Sequence, residues 1–299
     1  MEQNWIKFKE YCTILQYTFK RFYSSYLLFA HIYFDDSCIH RKGFYLMIPK
    51  LNFPIEKLQL TLLYTNKEAL ENIRAHSDMK KPLSKVSTAY HDLFFPAPPD
   101  DRPYTFSSMV LSVDGKMAFQ DNPQGPVVAS ANYVDPTGGL TDFWILNVLR
   151  AHADAIVVGA KTLNSEPDAV FSCLDPDLVA ERSERLGKKT EFPLNIIVSL
   201  DGKDVPFDHS LFAVPELQTL IATCHAGGAY LREQYGQEAL LIGPYDSIDQ
   251  IDVEETVRQI HEGLAARKKV VLMTGENTPD ARCLLFVLRK IGIQHLLLE

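Results

Sequence analysis

From Arg102 onward the chain switches repeatedly between two hydrophobic rhythms. Short unbroken apolar runs read as strands covered on both faces: "DAIVVGA" at 154–160, "PLNIIVSLDG" at 193–202, "LQTLIATC" at 217–224, "EALLIGP" at 238–244 and "IQHLLLE" at 293–299. "VVLMTGE" at 270–276 reads as another strand or as part of a longer apolar stretch. Between them lie stretches of helical period. "LTDFWILNVLRAHA" at 140–153 predicts a helix, with Asp142 near its start and Thr141 as a candidate cap. "DVEETVRQIHEGLAARKK" at 252–269 places Val253, Val257, Ile260 and Leu264 on one face. "DARCLLFVLRKIG" at 280–292 predicts a helix closed by Gly292. "AGGAYLREQYG" predicts a short helix, and the charged "PDLVAERSERLGKK" a helix or a loop. "YTFSSMVLSVDGKMA" at 104–118 alternates until Asp114-Gly115, as a strand ending in a turn does.

Strand and helix in alternation define an α/β layered domain around a mostly parallel sheet. Ligands of such sheets bind off the carboxyl ends of the strands. Three strand ends are then candidates: Asp114-Gly115-Lys116, Gly159–Thr162 and Glu299.

Composition divides the chain. Residues 1–78 hold 15 of the 32 aromatic residues and carry a net charge of +2, against −10 for residues 79–299. Such a step marks a domain boundary or a segment of different origin. The first 78 residues are expected to be an aromatic-rich appendage or an upstream extension of a functional protein starting near Met79. "LFFPAPPDDRP" at 93–103 holds four prolines, so residues 79–101 are expected to form an extended connector to a domain over 102–299.

The net charge of −8 over 299 residues argues against nucleic acid as the main partner. Five cysteines, none in a C-x-x-C pair, fit buried thiols in a reducing cytoplasm. The longest apolar stretch, Phe22 to Phe34, falls short of the roughly 20 residues of a membrane span. Neither a membrane nor a metal site is expected, since no H-x-x-x-H or H-x-H spacing occurs.

Three motifs carry candidate chemistry. "GAKT" at 159–162 follows a strand, and free amides at such a helix start bind phosphate well. It is not a Walker A loop, and a Gly-ended strand with a surface lysine accounts for it equally well. In "SVDGK" an exposed turn competes with a role for Asp114 and Lys116 at a substrate phosphate. In "NSEPD" a solvated loop competes with Glu166 or Asp168 accepting a hydrogen bond from a polar heterocycle.

Together, "RPYTFSSMVLSVDGKMA" (102–118), "LRAHADAIVVGAKTLNSEP" (149–167) and "LRKIGIQHLLLE" (288–299) resemble the reductase domain of riboflavin biosynthesis. The resemblance runs from about Leu83 to the end and leaves out residues 1–78. It implies a dihydrofolate-reductase-like fold, a mostly parallel or mixed sheet flanked by helices. It implies an NADPH-dependent reductase that converts the ribosyl group of a phosphorylated ribosylamino-pyrimidine to ribityl. Gly159, Ala160, Lys161 and Thr162 match the family's cofactor loop, with Lys161 selecting the 2′-phosphate. Asp114 and Lys116 match positions near the substrate's ribose phosphate. Glu166 falls where the family has Asp or Asn before Pro. Glu299 matches the Glu of an E-G-G motif and is the candidate catalytic acid. The glycine turn and last strands of the family pattern are absent, so the domain is expected to be incomplete at its carboxyl end, with a homodimer formed where those strands are present. Two other readings stay open: a related reductase of another substrate, such as a pterin, and a non-catalytic remnant.

Overall fold

The computed structural model describes residues 40–41, 44–45, 47–58, 60–130, 134–135 and 137–299. The apolar stretch at 22–34, Cys12 and Cys38 lie outside the described residues. In chain order the main elements are α1 (Lys67–Ala75), α2 (Ser84–Ala89), β1 (Tyr104–Ser107), α3 (Pro126–Ser130), α4 (Gly138–His152), β2 (Ala155–Gly159), α5 (Ala160–Ser165) and α6 (Pro176–Leu186). There follow β3 (Leu194–Val198), α7 (Ser210–Ala213), β4 (Thr219–Thr223), α8 (His225–Tyr235), β5 (Ala239–Tyr245), α9 (Val253–Ala265), β6 (Lys269–Thr274), α10 (Ala281–Lys290) and β7 (His295–Leu298).

The apolar runs become one seven-stranded sheet in the order β1-β7-β2-β3-β4-β6-β5. Every neighbouring pair in it is parallel. Unbroken Val/Ile/Leu runs suit this arrangement, because both faces of such a strand must be covered. On one face Ile156, Val158, Ile197, Ile221 and Leu297 pack with Leu163, Phe171 and Leu231. On the other, Ile196, Leu220, Val270 and Leu272 pack under Ile260 and Leu264 of α9 and Val287 and Leu288 of α10. The architecture is the α/β layered domain around a parallel sheet that the alternation of strands and helices predicts.

Three local expectations need correction. The strand expected from Tyr104 up to the Asp114-Gly115 turn stops at Ser107. Beyond it Met109, Leu111, Val113 and Met117 are exposed, so alternation there has no second layer to face. The turn itself stands: Ser112 N donates to Lys116 O at 2.9 Å, with Gly115 at φ 82°. Helix α4 begins at Gly138, ahead of the expected cap, and Thr141 lies inside it. Asp135 does the capping, accepting from the amides of Thr137 and Gly138 at 3.0 and 3.1 Å. Finally, the stretch 79–101 is not wholly extended, since it contains α2.

That stretch is packed, not strung out. Phe53, Leu83 and Val86 share a core with Leu140, Trp144 and Val148 of α4 and Leu178 and Leu186 of α6. Lys85 Nζ reaches the buried Asp175 carboxylate at 2.7 Å and Asp177 at 2.9 Å. Burying a side chain such as Leu83 or Phe53 contributes about 1.5–3 kcal/mol, enough to hold the segment in place.

The carbonyls at the carboxyl end of α4 are satisfied by a side chain from α6. Arg182, fully buried, donates through Nη1 to the carbonyls of Arg150, Ala151 and Ala153. A cation at a helix carboxyl terminus also complements the dipole.

Candidate active site

Strands β2 and β7 lie side by side, and Glu299 N donates to Val157 O at 3.1 Å. Both strands therefore end at the same edge of the sheet. There the chain leaves β2 through Gly159 into α5, and the side chain of Glu299 projects from the end of β7. A cavity of about 520 Å³ opens over this edge. Its walls come from the 108–118 loop, α4, the 162–174 segment and the stretch 49–53. Most of the lining is apolar, as in small-molecule sites generally.

The charged groups are few and mostly acidic. Asp142, Glu166, Asp168 and Glu299 line the cavity, with Arg150 as the lining cation. Arg150 is committed. Its Nε and Nη2 hold the two carboxylate oxygens of Glu299 at 2.8 and 2.6 Å. Its Nη1 donates to the carbonyls of Val170 and Ser172 at 3.2 and 3.1 Å. This bidentate pair, under a tenth exposed on each side, fixes the Glu299 carboxylate at the cavity floor.

Glu166 differs. Gly125 N donates to its Oε1 at 3.0 Å, and no other described group bonds its carboxylate. Burial pushes its pKa up, and the nearby Glu299 carboxylate adds to the rise against the pull of the Gly125 amide and Arg150. Its backbone is pinned from outside the cavity. The His209 ring donates through Nε2 to the Glu166 carbonyl at 2.9 Å, while His209 Nδ1 accepts from Leu211 N at 3.0 Å. Burial likewise raises the pKa of Asp142.

The start of α5 presents a different chemistry. Gly159 is its N-cap and offers no capping side chain. The first-turn amides of such a helix have no intrahelical acceptor. Thr162 lines the cavity, and its hydroxyl bonds no described residue. Ala160 is buried against the sheet, and Lys161 is exposed.

The structure thus brings Thr162, Glu166 and Glu299 to one cavity. Gly159, Ala160 and Lys161 adjoin it without lining it. Asp114 and Lys116 do not line it either; they sit at an exposed turn and pair with each other at 2.5 Å. Their loop nonetheless contributes Met109, Val110 and Met117 to the wall. Sequence reasoning missed Arg150, His209 and the 49–53 wall. Arg150 stands inside a quoted motif, but its partner is 149 residues away. Among the described residues no group of His, Cys, Asp and Glu could hold a metal ion, and no helix is long and apolar enough to cross a membrane.

A parallel α/β sheet with an apolar cavity and a few fixed carboxylates at its carboxyl edge belongs to the class of small-molecule α/β enzymes. Residues 103–277 match the RibD C-terminal domain model, so the chain belongs to the riboflavin-biosynthesis reductase family, a family of oxidoreductases. Among solved structures, the chain is similar to a pyrimidine reductase-like protein from Corynebacterium diphtheriae, with 19% identity, 71% of each chain covered and a TM-score of 0.41. No curated protein matches.

Proposed function

We propose that this protein is an NADPH-dependent reductase that converts the ribosyl group of a ribosylamino-pyrimidine phosphate to ribityl. The observation that carries this reading is the convergence of Thr162 and Glu166 on one cavity at the sheet edge of a riboflavin-pathway reductase chain. When bound, the nicotinamide supplies the hydride. The uncapped start of α5 fits the phosphates of such a cofactor. Gly159, Ala160 and Lys161 offer their backbone amides, Thr162 its hydroxyl, and the exposed Lys161 ammonium a charge for the 2′-phosphate.

The cavity's carboxylates suit the other partner. With its lining cation spent on Glu299, the floor repels a phosphate and accepts hydrogen bonds from the amino groups of a pyrimidine. The substrate's phosphate then points to the rim, where Lys116 stands and where Asp114 gives it up in exchange. The reduction adds one hydride and one proton. Glu166 is the group to deliver the proton, because burial keeps it protonated to higher pH and its second carboxylate oxygen is free. Glu299 has both oxygens on Arg150 and acts by fixing the floor of the site.

Following NADPH oxidation by its nicotinamide absorbance, with the ribosylamino-pyrimidine phosphate as substrate, tests this directly. Wild type turns over, and Glu166→Gln loses about 100-fold or more in kcat with NADPH affinity kept. No pyrimidine-dependent oxidation by wild type, or an undiminished Glu166→Gln rate, contradicts the reading.

A further inference from the structure

We infer that the segment Pro49–Phe53, which precedes the matched family domain, is the specificity wall of this site, and that Asn52 hydrogen-bonds the edge of the substrate's heterocycle. The inference rests on the reductase reading and adds to it the residues that select the ring.

Four residues of this short segment line the cavity: Pro49, Leu51, Asn52 and Phe53. The family domain begins at residue 103, so these residues are a wall that the matched domain alone does not carry. The wall is anchored at Leu51 and at Phe53. Leu51 N donates to Leu174 O at 2.8 Å, and Leu174 is itself part of the cavity lining. Phe53 is only 3% exposed and meets Phe143 of α4 edge-on, with centroids 5.7 Å apart at 61°. Such aromatic pairs add directional attraction to burial. The segment is thereby held against the domain as a fixed surface.

Asn52 lies between the two anchors and is the polar exception. It is exposed, lines the cavity, and its amide bonds no described residue. The amide offers two donors and an acceptor. The aspartates of the lining, Asp142 and Asp168, offer only acceptors while ionised. A ring with both amino and carbonyl groups on its edge, such as an aminopyrimidinone, needs donors as well as acceptors. Asn52 supplies the donors that the acidic part of the lining lacks. The apolar faces of Phe53 and Phe143 favour a planar, uncharged ring between the polar groups.

The test uses the full chain, with Asn52→Ala and Phe53→Leu as separate variants. Asn52 is exposed, so its variant keeps the fold, which a thermal melt checks; Phe53→Leu keeps most of the buried volume. Calorimetry measures the affinity for the ribosylamino-pyrimidine phosphate, and fluorescence the affinity for NADPH. Asn52→Ala is expected to weaken the pyrimidine about tenfold, the loss of one good hydrogen bond, and Phe53→Leu to weaken it severalfold. NADPH affinity stays within about twofold in both, because neither residue is among those proposed to hold the cofactor. Pyrimidine binding that drops in the variants upholds the wall even where turnover is absent. Unchanged pyrimidine affinity in both variants, with wild type binding normally, overturns the wall and leaves the reductase reading standing. Wild type that binds no pyrimidine overturns both.

Discussion

His152 illustrates how a single buried side chain writes pH dependence into the fold. It is fully enclosed at the carboxyl end of α4, donates through Nδ1 to Val148 O at 2.7 Å, and leaves Nε2 without a partner. Burial holds its pKa down at about 3, from 6.5. The unfolded chain takes up a proton near 6.5 that the folded protein refuses. Its contribution to stability is therefore complete above pH 6.5 and falls, by about 1.4 kcal/mol per pH unit, as the pH drops toward 3. Asp154 acts in a lower window. Burial works to raise its pKa but is outweighed by His295 and Lys188, which bring it to about 2, so its contribution fades below 3.8. Denaturant unfolding of wild type and His152→Gln between pH 4 and 6.5 separates the two. Wild type loses stability faster than the variant as the pH falls; parallel curves contradict the assignment. At the same scale Arg150 and Glu299 show what local reading cannot reach. Nothing in the sequence pairs the two across 149 residues, and the parallel pairing of β2 with β7 brings them together in one ion pair. Removing one partner of such a pair leaves an unpaired buried charge, at a cost of about 3–5 kcal/mol.

Among the elements, the strands were the most legible in sequence. A parallel sheet covered on both faces demands unbroken apolar runs, and "AIVVG", "LNIIV" and "KVVLMT" advertise that demand without tertiary help. The long amphipathic helices α9 and α10 were legible for the same reason. Stretches whose shape depends on a distant partner were not. The 108–118 loop alternates like a strand but has nothing to pair with. Proline-rich 79–101 looks extended, yet Leu83 and Val86 find α4 and α6 and fold a short helix onto them. Trp144 is the centre of that packing, 1% exposed. Trp144→Ala is expected to destabilise the protein by about 3–5 kcal/mol in chemical denaturation. It should also release α2, read as faster amide exchange over 84–89. Protection there that survives in a destabilised variant would show that the segment is held by something other than this core.

At the scale of the whole molecule, the proposed function asks an acidic protein to bind an anionic cofactor and an anionic substrate. Global charge opposes both, so binding has to come from short-range groups. The fold supplies them at one edge of the sheet. Helix α5 begins there with open amides, Glu166 and Glu299 stand beyond it, and the cavity lies between. The candidate site was half legible: "GAKT" and "NSEP" bring Thr162 and Glu166 to the sheet edge where the cavity opens, because strand-end motifs are local. Asp114 and Lys116 had equally local signatures, and they lie at an exposed turn beside that cavity, bonded to each other. Whether the start of α5 grips a nicotinamide nucleotide is the question on which the function turns. A fluorescence titration of the purified full chain with NADPH answers it most directly. Saturable micromolar binding, weakened about tenfold by Thr162→Ala and more strongly for NADPH than for NADH by Lys161→Ala, is the predicted result. No binding, or binding indifferent to both substitutions, would contradict it.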